Sequence, residues 1–187
     1  SGTVKNTPLG VELTLSGHLP ANDVLAAIIC EAFPAPVSPA RISFAPRDNC
    51  EVTSFRIEES DLAGSVATPV PRDVGICREC LLETRDPKNR RFRYPFTSCA
   101  VCGPRYSVLR SLPFDRERTT FSEFPLCDEC RLEYGDPDNR RFHAQTICCP
   151  KCGPRVWAEL QTGTRVAESD EAIRAAAGVL RLGGIVA

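Results

Sequence analysis

The 187-residue sequence predicts a mixed α+β protein with a small sandwich, two tandem four-cysteine units, and the first helix and strand of a further α/β domain. Three observations lead to this prediction. Residues 1–60 show the hydrophobic pattern of strands around one helix. Residues 76–105 and 126–155 repeat one cysteine pattern. Residues 156–187 contain a hairpin signal, an amphipathic helix and an apolar end.

The chain opens with a predicted β-hairpin. Residues 3–6 and 11–15 alternate apolar and polar side chains, which is the period of half-buried strands. Thr7-Pro8-Leu9-Gly10 between them is a turn signal. We therefore expect two antiparallel strands joined by a tight turn.

A helix and two further strands complete the predicted sandwich, in the order β-β-α-β-β. Apolar residues keep a helical period over residues 22–33, where Cys30 is expected to be a buried, inert thiol. Residues 41–45 and 52–57 predict the other two strands. One short helix covers little of a four-stranded sheet, so we expect this domain, residues 1–60, to lack its N-terminal part.

Three segments connect or follow the cysteine units. Residues 61–75 predict a linker, because Gly, Ser and a Pro-X-Pro sequence break any periodicity. Residues 106–125 form a spacer, whose apolar side chains would pack the two units together or against a neighbour. Residues 156–167 predict a hairpin, and a helix that begins at Ser169 or Asp170 then leads to a Gly-Gly stop and an apolar strand.

Two cysteine quartets share the spacing C-x2-C-x18-C-x2-C, and the second repeats the first 50 residues later. Sixteen of the 30 aligned positions in the two units are identical, including a D-P-x-N-R-R-F stretch. Two C-x-x-C pairs present four thiolates to one ion, which is the ligand set of structural zinc. The predicted ligands are Cys77, Cys80, Cys99 and Cys102 in the first unit, and Cys127, Cys130, Cys149 and Cys152 in the second. We expect two Zn²⁺ ions, one per quartet; a nested arrangement, in which the first and last pairs share an ion, has the same spacing.

A disulfide framework is the competing interpretation of eleven cysteines. An odd count leaves one thiol unpaired, and the sequence shows neither a signal peptide nor an apolar run long enough to span a membrane. Repeated C-x-x-C pairs favour metal, and a reducing cytoplasm suits thiolate ligands. Cys148 is excluded as a ligand, because only its neighbour Cys149 keeps both spacings.

Two arginine pairs occupy the same position in the repeat, Arg90-Arg91 and Arg140-Arg141. We expect them to balance the thiolate charge and to hydrogen-bond the sulfurs. The alternative is contact with an anion or a nucleic acid, but a formal net charge of −1 does not provide the basic field of a general nucleic-acid binder. Neither His18 nor His143 has ligand spacing to a partner, so no catalytic zinc is predicted.

The complete cysteine spacing, with D-P-x-N-R-R-F in both halves, resembles the HypF carbamoyltransferase family, the maturation factors of nickel-iron hydrogenases. G-T-V-K-N-T-P-L-G-V-E-L, at residues 2–13, looks like the second half of an acylphosphatase domain, a ferredoxin-like sandwich with which that family begins. E-A-I-R-A-A-A-G-V-L-R-L-G-G-I-V-A, at residues 171–187, looks like the entry to its YrdC-like, nucleotide-binding domain.

The resemblance implies a cytoplasmic enzyme that converts carbamoyl phosphate and ATP to a carbamoyl-adenylate. The carbamoyl group then passes to the C-terminal cysteine of the partner HypE, on its way to a cyanide ligand of iron. Asn6 matches the asparagine that positions the attacking water in the family's acylphosphatase domain. The arginine loop of that site, V-Q-G-V-G-F-R in related proteins, does not occur among the 187 residues, so we expect the chain alone to be inactive. The alternative function is a free-standing zinc module that binds a protein or RNA through its arginine pairs and spacer aromatics.

Overall fold

The computed structural model describes residues 1–32, 41–47, 53–61 and 69–187. These residues form two compact units, an N-terminal unit, Ser1–Pro69, and a C-terminal unit, Val70–Ala187. Helices and strands occur in both units, so the predicted α+β class is confirmed. None of the described helices combines the length and the hydrophobicity that a transmembrane span requires.

The N-terminal unit contains a three-stranded sheet in the order β2-β1-β3. Strands β1 (Gly2–Thr7) and β2 (Gly10–Leu15) form the predicted antiparallel hairpin. Its tight turn requires a φ of 142° at Gly10, which a residue without a side chain adopts at little cost. Strand β3 (Phe55–Ile57) pairs in parallel with the other edge of β1.

Helix α1 (Asn22–Ala32) lies between β2 and β3 in the chain and confirms the predicted helix, although Phe33 lies outside the described residues. None of its side chains is buried, and Val24 and Ile28 are about half exposed at 47% and 52%. Cys30 is exposed as well. The prediction of a buried Cys30 is therefore wrong, because an apolar helical period does not by itself supply an element that covers the helix face.

The predicted four-stranded sheet is only partly formed in the described residues. Residues 41–47 contain no strand, and most of them are exposed. The strand predicted at residues 52–57 is reduced to β3, and Val52 lies outside the described residues. Alternation of apolar and polar residues predicts a half-buried strand only where a neighbouring strand accepts its backbone hydrogen bonds. Residues 41–45 find no such ladder in the part of the chain that is described.

The C-terminal unit is built on the two cysteine units, which we call the first repeat (76–105) and the second repeat (126–155). Each contains one short helix, α2 (Arg78–Arg85) or α3 (Asp128–Gly135), that begins one residue after the first cysteine of its quartet. In the first repeat, the backbone N–H of Cys80 donates to Cys77 Sγ at 3.5 Å and thereby caps the helix. The first C-x-x-C pair of each quartet thus includes the first turn of a helix, whereas the second pair lies in a loop.

The spacer between the repeats packs against both of them. Its three short 3-10 helices are Tyr106–Val108, Arg116–Arg118 and Thr120–Glu123. Phe121 is buried in one cluster with Tyr94 of the first repeat and Cys148 of the second. Arg116 donates to the carbonyl oxygens of Gln145 at 2.7 Å and Ile147 at 3.0 Å. The spacer therefore joins the two repeats within this unit, which is one of the two arrangements that its apolar residues predict.

The last segment of the chain forms the predicted hairpin and helix. Strands β4 (Trp157–Glu159) and β5 (Arg165–Glu168) pair antiparallel and lead into helix α4 (Ser169–Arg181). The chain leaves the helix through Gly183, which has a φ of 81° and whose N–H donates to the Leu180 carbonyl at 3.0 Å.

The strand expected after this helix, at residues 185–187, is not formed. Ile185 is 91% exposed, and no strand in the described chain lies beside these residues. An apolar segment becomes a strand only when a neighbour supplies the hydrogen bonds of a ladder.

Candidate metal centres

The structure brings the four sulfurs of each quartet together, and all four lie within 4.8 Å of one another. In the first repeat, the distances between Sγ atoms are 3.8 Å for Cys77–Cys99, 3.8 Å for Cys99–Cys102 and 3.6 Å for Cys80–Cys102. In the second repeat they are 3.7 Å for Cys127–Cys149, 3.7 Å for Cys149–Cys152 and 3.6 Å for Cys130–Cys152. The sulfurs group within each quartet and not in the nested arrangement.

These distances fit a tetrahedral ion and exclude disulfides. Zinc–sulfur bonds of about 2.3 Å at tetrahedral angles separate neighbouring sulfurs by about 3.8 Å, which is the spacing observed. A disulfide would require a sulfur–sulfur distance of about 2.05 Å, and all eight thiols are free. Because each quartet supplies four ligands, neither site leaves a position for water, and the two quartets therefore fit two structural zinc ions.

Burial makes these thiols dependent on a cation. Desolvation raises the pKa of Cys130 above that of a free thiol, and the hydrogen bond from Arg90 offsets only part of this effect. At the more exposed edge of the same quartet, burial raises the pKa of Cys127, but the backbone N–H of Cys130 and the neighbouring thiols lower it overall to about 7. Four buried thiols crowded together do not all ionise without a compensating charge, which a divalent ion supplies when bound.

Arg90 and Arg140 contact the sulfurs of the opposite repeat. Arg90 donates from both terminal nitrogens to Cys130 Sγ, at 3.4 and 3.3 Å. Arg140 donates from Nη2 to Cys77 Sγ and Cys80 Sγ, each at 3.0 Å. The sulfur contacts predicted for these two residues are therefore present, but they cross between the repeats.

Arg91 and Arg141 also cross between the repeats, and both are almost completely buried, at 1% and 3% exposure. Arg91 donates from Nη1 and Nη2 to the Glu133 carboxylate, at 3.1 and 2.5 Å, and from Nε to the Cys148 carbonyl at 2.9 Å. Arg141 makes the equivalent contacts with Glu83 and with the carbonyl of Ser98. Burial raises the pKa of Glu133, but the paired arginines lower it overall, so its carboxylate stays ionised.

The D-P-x-N stretch forms the turn that precedes each arginine pair and positions its backbone. In the first repeat, the Asn89 N–H donates to the Asp86 carbonyl at 3.0 Å, and Asn89 Oδ1 accepts the Arg91 N–H at 2.9 Å. In the second repeat, Asn139 makes the same two contacts, with Asp136 and Arg141. The repeated motif is thus a turn whose side chains hold the backbone at the base of each arginine pair.

Apart from the additional bond from Arg140 to Cys77, these contacts occur twice with the repeats exchanged, as in a two-fold symmetric pair. This symmetry also accounts for Cys148, which the quartets do not use. Cys148 Sγ donates to the Phe96 carbonyl at 3.3 Å, and Ser98, its counterpart in the first repeat, donates to the Thr146 carbonyl at 3.1 Å. Cys148 is a buried polar donor at the contact between the repeats, and the sequence contains no local signal for this role.

The other candidate residues, His143 and Asn6, belong to neither quartet. His143 packs against Tyr134 and Phe142, with ring centroids 4.8 and 4.5 Å apart, and burial lowers its pKa. Asn6 lies on β1 in the N-terminal unit, where its Nδ2 donates to Ser60 Oγ at 3.4 Å.

Two tandem four-thiol repeats that exchange arginines define this chain as a paired metal-finger protein. The sequence matches the HypF finger family over residues 76–109 and 126–159. It is 36% identical to carbamoyltransferase HypF2 of Cupriavidus necator over 130 residues, covering 67% of this chain and 16% of that protein. It is 44% identical to carbamoyltransferase HypF of Rhodobacter capsulatus over 126 residues, with the same two coverages.

Solved structures agree with these relatives. A crystal structure of full-length HypF in the phosphate- and nucleotide-bound form superposes with a TM-score of 0.77 at 34% identity, covering 97% of this chain and 23% of that one. T. kodakarensis HypF superposes with a TM-score of 0.70 at 33% identity, covering 96% and 22%. The chain belongs to the HypF family. It spans 16% of the length of the curated relatives named here.

Proposed function

We propose that this chain is the zinc-binding part of a HypF-type carbamoyltransferase, in which it serves as a structural element. The observation that carries the proposal is the pair of closed four-sulfur sites, whose geometry suits zinc and leaves no ligand position for a reaction. The eight quartet cysteines would hold two Zn²⁺ ions, and the chemistry would occur in the domains that flank them. Its compartment would be the cytoplasm, where thiolate ligands stay reduced.

The proposed domains follow the boundaries predicted from the sequence. Residues 1–60 would be part of an acylphosphatase-like domain, residues 76–105 and 126–155 two zinc fingers, and residues 156–187 the start of a YrdC-like domain. Residues 62–68 of the predicted linker lie outside the described residues. Within the C-terminal unit, Val74 at the end of this linker bonds to Gly103 of the first repeat, with N···O distances of 2.8 and 3.1 Å.

The complete enzyme would convert carbamoyl phosphate and ATP to a carbamoyl-adenylate and transfer the carbamoyl group to the C-terminal cysteine of HypE. Two kinds of support exist for this activity. The relatives named above are carbamoyltransferases, and the chain superposes on a HypF structure that holds phosphate and nucleotide. The alternative, a free-standing module that binds RNA or protein through the arginine pairs, is weakened because Arg91 and Arg141 are buried in ion pairs.

Metal analysis of the purified chain tests the structural role directly. We expect about two zinc ions per chain, since each closed site takes four thiolates. Cys148→Ser is the matched control: it removes a thiol outside the quartets and places a hydroxyl where the first repeat already has Ser98, so the zinc content should not change. A single ion per chain, or iron in place of zinc, would contradict the proposal.

Carbamoyl phosphate hydrolysis tests the proposed role of Asn6. We expect no release of phosphate above a protein-free blank, because the arginine loop that would bind the phosphate does not occur in the sequence. The measurement is phosphate release over time, with Asn6→Ala assayed in parallel. Turnover by the chain that disappears in Asn6→Ala would show that the site is already complete and would overturn the expected inactivity.

A further inference from the structure

We propose that Arg90 and Arg140 are exchanged positioning residues: each sets the metal affinity of the quartet in the opposite repeat, so that the two zinc ions bind cooperatively. This inference rests on the proposed structural zinc sites. It goes beyond them, because two closed four-sulfur sites could equally well load and release their ions independently.

Each of the two arginines crosses to the quartet of the opposite repeat. Arg90 belongs to the first repeat but donates two hydrogen bonds to Cys130, 40 residues further along the chain. Arg140 belongs to the second repeat but donates to Cys77 and Cys80, 63 and 60 residues earlier. Within the described residues, neither guanidinium bonds to a sulfur of its own repeat. Substitution of one arginine should therefore change the metal affinity of the quartet in the opposite repeat.

The positive charge of each arginine lies beside the negative charge of a metal-bound quartet. A zinc ion with four thiolates carries a net charge of about −2, and hydrogen-bond donors to the sulfurs stabilise that charge. Arg90 is held between Cys130 Sγ and the Glu133 carboxylate, which its Nη2 contacts at 2.7 Å, so its positive charge lies against the quartet. The side chains of Arg90 and Arg140 retain 26% and 30% exposure, so water screens these contacts only in part.

Each arginine is held in place by the helix of its own repeat. Arg90 follows the turn that begins at Asp86, directly after α2, and Cys77 of the same repeat's quartet caps the start of α2. The N–H of Arg93 also donates to the Thr84 carbonyl, at 2.8 Å, which ties the residues after the turn back to the helix. Loss of the ion from the first quartet would loosen this helix and withdraw Arg90 from Cys130. The same path leads from the second quartet through α3 to Arg140.

A chelator titration with quartet-resolved labelling tests the proposal. The zinc-loaded chain is exposed to rising chelator concentrations, free thiols are pulse-labelled with a maleimide, and mass spectrometry of the peptides reports which quartet has released its ion. For Arg90→Gln we expect release from the second quartet at an affinity about 10–100-fold lower, the usual effect of removing a group that orients a metal ligand. For Arg140→Gln we expect the same loss at the first quartet.

Lys88→Gln is the matched control, because Lys88 lines the same cavity between the repeats and is a cation, yet no bond joins it to a sulfur in the described chain. Its release profile should equal that of the parent chain. Arg90→Lys keeps the charge but not the two donor nitrogens, and it replaces Arg90→Gln in the titration if that variant does not fold. It should also lower the metal affinity of the second quartet.

Cooperativity is tested by Cys102→Ser, which disables the first quartet at a ligand that Arg140 does not contact in the described hydrogen bonds. The second quartet should then release its ion more readily than in the parent chain. Unchanged release from the second quartet, or arginine variants that weaken their own quartet or both equally, would overturn the proposal. A parent chain that binds no zinc would instead refute the structural zinc sites themselves.

Discussion

Removal of zinc is expected to unfold both repeats. The buried apolar cluster of the first repeat consists of three of its own ligands, Cys80, Cys99 and Cys102. Without an ion, nothing holds these thiols together, and in the described residues α2 keeps its Arg93–Thr84 backbone bond and the ion pairs of Glu83 with the opposite repeat. Structural zinc contributes on the order of 10–16 kcal/mol in comparable finger peptides, which exceeds the stability of most small domains.

Hydrogen exchange measured by mass spectrometry, before and after treatment with a chelator, checks this expectation. Amide protection should fall throughout residues 76–155 and should return when zinc is added back. Peptides from the β1–β2 hairpin, residues 2–15, contain no predicted ligand and serve as the internal reference. Protection in the repeats that survives complete metal removal would show that packing alone maintains them.

The second large effect is expected from Arg91→Leu, which removes one partner of a buried ion pair. Among the described contacts, Glu133 would keep the one with Arg90, and the Cys148 carbonyl would lose its donor from Arg91. We expect a loss of about 1–3 kcal/mol, because the Cys148 carbonyl loses its buried donor and the Glu133 carboxylate, which is 21% exposed, loses one of its two arginines. The two-fold relation between the repeats predicts a loss of similar size for Arg141→Leu.

Urea unfolding at saturating zinc gives the free energy of unfolding for these variants. Arg131→Leu is the matched control, because its ion pair with Asp128 is exposed, with side-chain exposures of 67% and 90%. An exposed pair of this kind contributes at most about 1 kcal/mol. If Arg91→Leu destabilised the chain no more than Arg131→Leu, the crossed ion pairs would not hold the repeats together.

In the N-terminal unit, the hydrophobic pattern predicted the hairpin correctly but not every strand or the burial of the helix. The hairpin was predictable because its turn and both strands are adjacent in sequence, so local chemistry sets their pairing. The strand predicted at residues 41–45 is not formed in the described residues, and Cys30 is exposed rather than buried. Both errors have one cause: alternation and helical period say which face could be buried, but not whether another element covers it.

In the cysteine repeats, too, the sequence predicted the local features but not the contacts between distant elements. Which thiols lie together was predicted from duplication, which implies that each unit closed its own site; the structure confirms this grouping over the nested arrangement that the spacing also allows. The turn in D-P-x-N followed as well, since Asp and Asn bond to backbone groups two or three residues away.

What only the tertiary structure decided is which arginine serves which sulfur. The contacts of Arg90, Arg91, Arg140 and Arg141 span about 40 to 63 residues, and they arise when two similar repeats dock face to face. In such a pair, a contact within one repeat and the same contact across to its partner have identical sequence patterns. Cysteine spacing and duplication therefore predicted the two metal sites, whereas the exchange of arginines between them required the packed structure.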